Sequence, residues 1–334
     1  MTKEDIERAK LFSSCKAKGI ASITQCYHPD CNQKSINSHI LQKNGILSSI
    51  SNDGHLWGRK VNFFKEPRFQ FEKIGINKIY SFNCFCNTHD TSLFKGIEGE
   101  KIDFNNYKSC LLFTLRTIYN EIWRKEVNIK MYDCLLEKDP EKCDNPYFRE
   151  WVKQETLGLR DLRFTESEIW KDLNSNTESF VFENTEIDKL DICLSAFYNY
   201  DTTLEMGEYI QNHGKDMDRV SQIFVNIFPY LNRTVLLMGY YKVDEKKVKG
   251  YFYTYFKESK KRVQRKLTNL ILFRCETWVV SDKLYSLKIA GVENLFSKTI
   301  EYSLRNMNER KCYDLNIYKT SFKEDLRKWI KNAG

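Results

Sequence analysis

An α+β protein in two domains is what this sequence predicts, on three observations. Cysteines and histidines fall in two closely spaced pairs between residues 26 and 89. Apolar residues recur at helical spacing from about residue 107. Short alternating or wholly apolar runs follow between 180 and 241. At 334 residues the chain exceeds the usual size of one domain. The expected division is a metal-stapled domain over 1–105 and a larger mixed α+β domain over 106–334. The boundary falls in the polar stretch Asp103-Phe104-Asn105-Asn106.

In chain order, residues 1–20 read as an amphipathic helix through Ile6, Ala9, Leu11 and Phe12, ending near Gly19. Asp53-Gly54 reads as a hairpin turn, with His55 flanking it. An apolar strand over 79–85 gives way to a helix over 91–97. A long helix carries Leu111, Leu112, Leu115, Ile118, Tyr119, Ile122 and Trp123 and stops before Asp139-Pro140. Runs at 180–182, 192–197, 223–228 and 234–241 read as strands, the last two joined as a hairpin by the Pro-Tyr-Leu-Asn-Arg turn at 229–233. One continuous helix is expected over 247–275, then a strand near 277–280 and a helical tail.

Mean hydropathy is −0.57 and no apolar run approaches the length that spans a bilayer, so a cytoplasmic protein without membrane contact is expected. The chain has 11 cysteines; with an odd number and a charged start, free thiols plus a metal site are expected in place of a disulfide framework. The formal net charge is +8, and residues 242–266 concentrate the basic excess, with ten basic and three acidic side chains.

Cys26 and Cys31 bracket four residues, and Cys86 and His89 bracket two. A turn presents the first pair and a strand-to-helix junction presents the second, so the four can close a tetrahedron around a structural Zn²⁺. This is the spacing of a treble-clef zinc finger of the ββα-metal type. Cys84 lies on the same strand as Cys86 and is left out as a buried thiol; His28 and Asp30 are expected to face solvent. Buried thiols without metal are the plain alternative.

Between the pairs, Ser38-His39-Ile40-Leu41-Gln42 resembles the Asp-His-Ile step of HNH, or His-metal-finger, nucleases. The resemblance covers the first third of the chain. It implies a phosphodiester hydrolase with His39 as general base, Asp90 after the last zinc ligand as a holder of catalytic Mg²⁺ or Mn²⁺, and Asn83 or Asn87 at the family's asparagine position. The wider pattern, Ser38-His39, Asp53-Gly54-His55, Phe85-Cys86 to His89-Asp90 and Ile97-Glu98, also looks like a group of bacterial proteins associated with anti-phage defence. Two departures stand out: Ser38 replaces the usual aspartate, and Asp90 replaces histidine or asparagine, so an oxygen-rich site would be rebuilt around Asp90 and Glu98.

In the second domain, Lys260, Lys261, Arg262 and Arg265 could neutralise phosphates of DNA or RNA while neighbouring aromatics stack on bases. The same run has the spacing of a helix with one buried stripe and a solvated basic face. The expected activity is that of a metal-dependent endonuclease acting on DNA or RNA. Its larger domain would hold substrate, a protein partner, a second copy or a trigger. The alternative is a non-catalytic zinc module that binds nucleic acid or protein.

Overall fold

A computed structural model describes residues 2–61, 64, 68–99, 101–199, 219–305 and 313–333. It is mixed α+β, as expected. Compactness divides the chain by segments and not by a cut at residue 105. One unit gathers Met1–Ile40, Ser81–Gly99 and Leu115–Thr177; the other gathers Leu41–Tyr80, Glu100–Thr114 and Glu178–Gly334.

The first unit holds α1 (Lys3–Ser22), β1 (Asn37–His39), β4 (Ser81–Asn83), α2 (Asn87–Phe94), α4 (Pro140–Cys143) and α5 (Pro146–Ser175). It also holds all but the first turns of α3 (Tyr107–Lys138). Thr2 and Asp5 form a reciprocal capping box that starts α1. A side chain on Gly19 would meet the Val127 carbonyl oxygen at 2.9 Å, so glycine is what lets α1 approach α3 there. Cys15 and Cys134 are joined by a disulfide and share an apolar cluster with Met131, Leu135 and Cys143. The expectation of free thiols throughout is thus corrected at this pair; the two cysteines stand 119 residues apart, so no local spacing announces them. Helix α5 has no counterpart among the expected elements. Asn145 caps it by accepting the Phe148 N–H, Pro146 opens it, and Asn176 closes it with φ 53°.

The second unit is built on one seven-stranded sheet in the order β3-β2-β9-β6-β7-β8-β5, every pairing antiparallel. The strands are β2 (His55–Val61), β3 (Phe69–Gly75), β5 (Phe180–Asp188), β6 (Ile192–Asn199), β7 (Gln222–Tyr230), β8 (Arg233–Tyr241) and β9 (Trp278–Val280). The four runs read as strands between 180 and 241 are all present. Asp53 and Gly54 both have positive φ, 50° and 69°, as a two-residue hairpin turn requires. Leu231, at φ 53°, turns β7 into β8. Side chains of β6, β7 and β8 are almost wholly buried, including Ile192, Val225 and Met238. Gly239 is fixed by crowding, since a Cβ there would meet Phe224 Cε2 at 2.1 Å and Phe182 Cδ1 at 2.7 Å.

Two expectations are corrected. The strand foreseen over 79–85 shrinks to Ser81–Asn83, because Tyr80 adopts φ 59°. Its hydroxyl donates to the Thr277 carbonyl and accepts the Ser195 N–H, which explains the turn. The single helix foreseen over 247–275 is two, α6 (Glu245–Lys257) and α7 (Lys260–Asn269), followed by a π turn. Ser259 is extended between them and accepts the backbone N–H groups of Arg262 and Val263 on its carbonyl. Helices α8 (Asp282–Leu284), α9 (Glu293–Arg305) and α10 (Phe322–Ala333) complete the unit. No described helix is long and apolar enough to cross a membrane.

Candidate metal centre

The knuckle holding Cys26 and Cys31 is a backbone turn. The Cys26 N–H donates to the Gln33 carbonyl, the Cys31 N–H donates to that of His28, and Gln25 bridges Lys34. Asp30, exposed, takes φ 63°, a conformation that aspartate tolerates better than most residues. The second pair is carried at the end of the short ladder. Ile36 and Cys84 are joined by a backbone bond, the Ile36 N–H donates to Phe85, and Cys86 then serves as the N-cap residue of α2. Phe85, fully buried, packs edge-on against Tyr119 and Phe94 and pins this junction to α3 and α2.

These elements bring Cys26, Cys31, Cys86 and His89 together, with all four donor atoms within 4.8 Å of one another. His89 Nδ1 lies 3.3 Å from Cys86 Sγ and 3.5 Å from Cys26 Sγ, and Cys31 Sγ lies 4.0 Å from Cys86 Sγ. A tetrahedron with metal–sulfur bonds of ~2.3 Å has edges of about 3.8 Å, so the spacing and the donor chemistry both suit a metal ion such as zinc. Burial pushes the Cys26 thiol up to about 11. At Cys86 burial also pushes upward, but the His89 backbone N–H and the neighbouring thiols outweigh it and lower the value. Burial, then the neighbouring His28, lowers His89, which favours the neutral imidazole that a metal needs. Cys84, excluded from the ligand set, is fully buried and its thiol is held protonated by desolvation first, then by the Asp90 charge.

His28 departs from expectation. It stacks on the His89 ring at 3.7 Å between centroids, with Trp170 edge-on at 4.9 Å, so the half-buried ring also walls the cluster. Neither contact partner is near it in sequence. Behind the knuckle, the Tyr27 hydroxyl donates to Glu126 at 2.5 Å, and Arg163 bridges Glu126 and Glu166.

Residues 37–39 and 81–83 pair with His39 opposite Ser81 and Asn37 opposite Asn83. Strand alternation therefore puts His39 and Asn83 on one face, half-buried, and Ser38 on the other with Phe82, both buried. An aspartate at 38 would point into that apolar side. Asp90 lies in the first turn of α2 with its Oδ1 atom buried, 4.0 Å from the Arg116 guanidinium. Glu98 Oε1 takes the same guanidinium at 2.5 Å. Arg116 had no sequence signal, since it reads as one more residue of a long helix.

In the sheet unit, His55 accepts a turn role, with Nδ1 2.7 Å from the Asp53 carbonyl oxygen. The basic residues of α7 are partly matched by acids: Lys260 by Asp188 at 2.6 Å, Arg262 by Glu258 at 2.9 Å and Arg265 by Asp314 at 2.8 Å, while Lys261 is exposed. Lys266 sits over the Tyr251 and Tyr255 rings, so these tyrosines are engaged by the helix itself. In comparisons with known proteins, no family model, no curated protein and no solved structure matches this chain.

Proposed function

We propose that the N-terminal unit is a treble-clef zinc module of the HNH kind and that the protein is a metal-dependent endonuclease. One observation carries this reading: His39 and Asn83 share the half-exposed face of a ladder whose second strand runs directly into the zinc pair Cys86 and His89. Zinc held by four protein ligands leaves no position for water, so its task is to hold the ladder and α2 in register. His39 then takes the proton from the attacking water as general base. Asn83, on the same face and diagonal to it across the ladder, orients the scissile phosphate or the water by hydrogen bonding. A Mg²⁺ or Mn²⁺ ion, when bound, would stabilise the charge that develops on the phosphate oxygens. Asp90 is the side chain offered to that ion; it is half-buried, with Oδ1 buried. Lys260, Lys261, Arg262 and Arg265 are the groups offered to the substrate backbone, because surface ion pairs worth ~0–1 kcal/mol yield readily to phosphate. A defence effector that degrades invading DNA or RNA is the setting this chemistry suits.

The second reading is a non-catalytic zinc module, and the sharing of Arg116 by Asp90 and Glu98 favours it, since a guanidinium already answers both carboxylates. Purified zinc-loaded protein incubated with supercoiled plasmid or structured RNA separates the two. The nuclease reading expects cleavage with Mg²⁺ or Mn²⁺, none with chelator, and a loss of roughly 10²–10⁴ in rate for His39→Ala. No metal-dependent cleavage of either substrate, or cleavage by His39→Ala at the parental rate, refutes it.

A further inference from the structure

We propose that Cys15, Cys134 and Cys143 form a redox latch, in which the disulfide fastening α1 to α3 is opened by small-molecule thiols that enter through Cys143. The three sulfurs share one apolar cluster with Met131 and Leu135, packed against Leu11, Phe12 and Trp151. Among the described residues Cys15 and Cys134 are the single joined pair, while eight other cysteines keep free thiols. A scaffold built on disulfides pairs its cysteines throughout; one bond amid free thiols is the pattern of an exchangeable pair.

The bond matters to α1 because little else holds that helix. Of its 20 residues, Cys15 and Gly19 alone are buried. Leu11 and Phe12 are half-buried, and the ion pairs Lys18–Glu137 and Lys142–Glu4 are exposed and contribute little. A helix of this length is marginal by itself, so opening the disulfide loosens α1. None of the three cysteines belongs to the Cys26, Cys31, Cys86 and His89 cluster, which stays intact.

Burial decides how the latch is reached. Cys15 and Cys134 are 0% and 2% exposed, closed to a dissolved thiol. Cys143 is the buried residue of α4, a single turn whose Pro140, Glu141 and Lys142 are all exposed. So short a turn opens locally at low cost. While it is closed, burial and then the Asp139 charge hold the Cys143 thiol above its ordinary range. Once the turn opens and the thiol loses its proton, the Cys143 sulfur attacks Cys134 Sγ. A Cys134–Cys143 bond forms, the Cys15–Cys134 bond breaks, and Cys15 leaves as a thiolate that takes up a proton. Two molecules of small thiol then reduce the new bond in successive exchanges and depart as their own disulfide, leaving three protein thiols. Attack on Cys134 is the direction that frees α1, since a Cys15–Cys143 bond would keep the helix fastened.

Full-length protein equilibrated in mixtures of reduced and oxidised glutathione tests this. Thiols are counted by maleimide mass-tagging, bonds are located by peptide mass spectrometry, and α1 is probed with trypsin at Lys10, Lys16 and Lys18. As reduced glutathione rises, Cys15–Cys134 should open with metal content and circular dichroism unchanged, and Cys134–Cys143 should appear as an intermediate. Cleavage within α1 should rise about 10-fold while the rest of the chain keeps its protection. Cys143→Ala and Cys143→Ser, judged folded by Tm, should open roughly 10-fold more slowly than the parent. Opening at the parental rate in a folded Cys143 variant would overturn the proposal. In the parent alone, opening only together with general unfolding, an α1 equally resistant when reduced, or failure of Cys15 and Cys134 to join in oxidised glutathione would overturn it as well.

Discussion

Four side chains, the outermost 63 residues apart, form the cluster in the N-terminal unit that could hold a metal ion. Ligation would have to strip the Cys26 thiol, which burial raises to about 11, so metal content measured across a pH series is expected to fall as pH is lowered. Cys86 belongs to the cluster and occupies the N-cap position of α2, and if zinc is bound there Cys86→Ser is expected to lose stoichiometric metal and to lower Tm, as measured by metal analysis and thermal melting. Full retention of metal with an unchanged Tm would remove Cys86 from the centre. The cluster was legible in the sequence because each pair is local: Cys26 and Cys31 lie close together in a knuckle, and Cys86 and His89 lie three apart at a strand-to-helix junction. His28 and Arg116 were not legible, since their roles depend on Trp170 and on Asp90, partners remote in sequence.

Elements with strong periodicity were the readable ones. Strands β6, β7 and β8 are continuous apolar runs because both faces of the sheet are covered there, and the stripe of α3 was equally plain. What escaped was interruption: Ser259 breaks a helix whose apolar stripe runs on through Val263 and Leu267, and Tyr80 cuts a strand short because its hydroxyl has two backbone partners. The break gives α7 its own basic face. If that face meets nucleic acid, replacing Lys260, Lys261 and Arg262 together with alanine should weaken binding and flatten the salt dependence. The slope of log K against log salt should fall by up to about 0.9 for each duplex-DNA phosphate that is no longer neutralised. Binding isotherms at several salt concentrations check this. An unchanged slope would leave these residues as partners of Asp188 and Glu258 alone.

Over the whole molecule the chain passes between its two units more than once: residues 55–75 supply β2 and β3 to the large sheet. Within the first unit the Cys15–Cys134 disulfide ties α1 to α3, while the Cys26, Cys31, Cys86 and His89 cluster joins the knuckle to the start of α2. The disulfide closes a loop of 119 residues, and Cys15→Ser with Cys134→Ser should cost about 2–4 kcal/mol in chemical denaturation while leaving metal content unchanged. Equal stability would mean that packing of Met131 and Leu135 already fixes α1. The central claim, that one zinc organises the unit carrying His39, is met most directly by zinc K-edge X-ray absorption on the purified full-length protein. The account predicts one zinc per chain with three sulfur neighbours at ~2.3 Å and one nitrogen at ~2.0–2.1 Å. A shell of only oxygen and nitrogen, or no stoichiometric zinc at all, would contradict it.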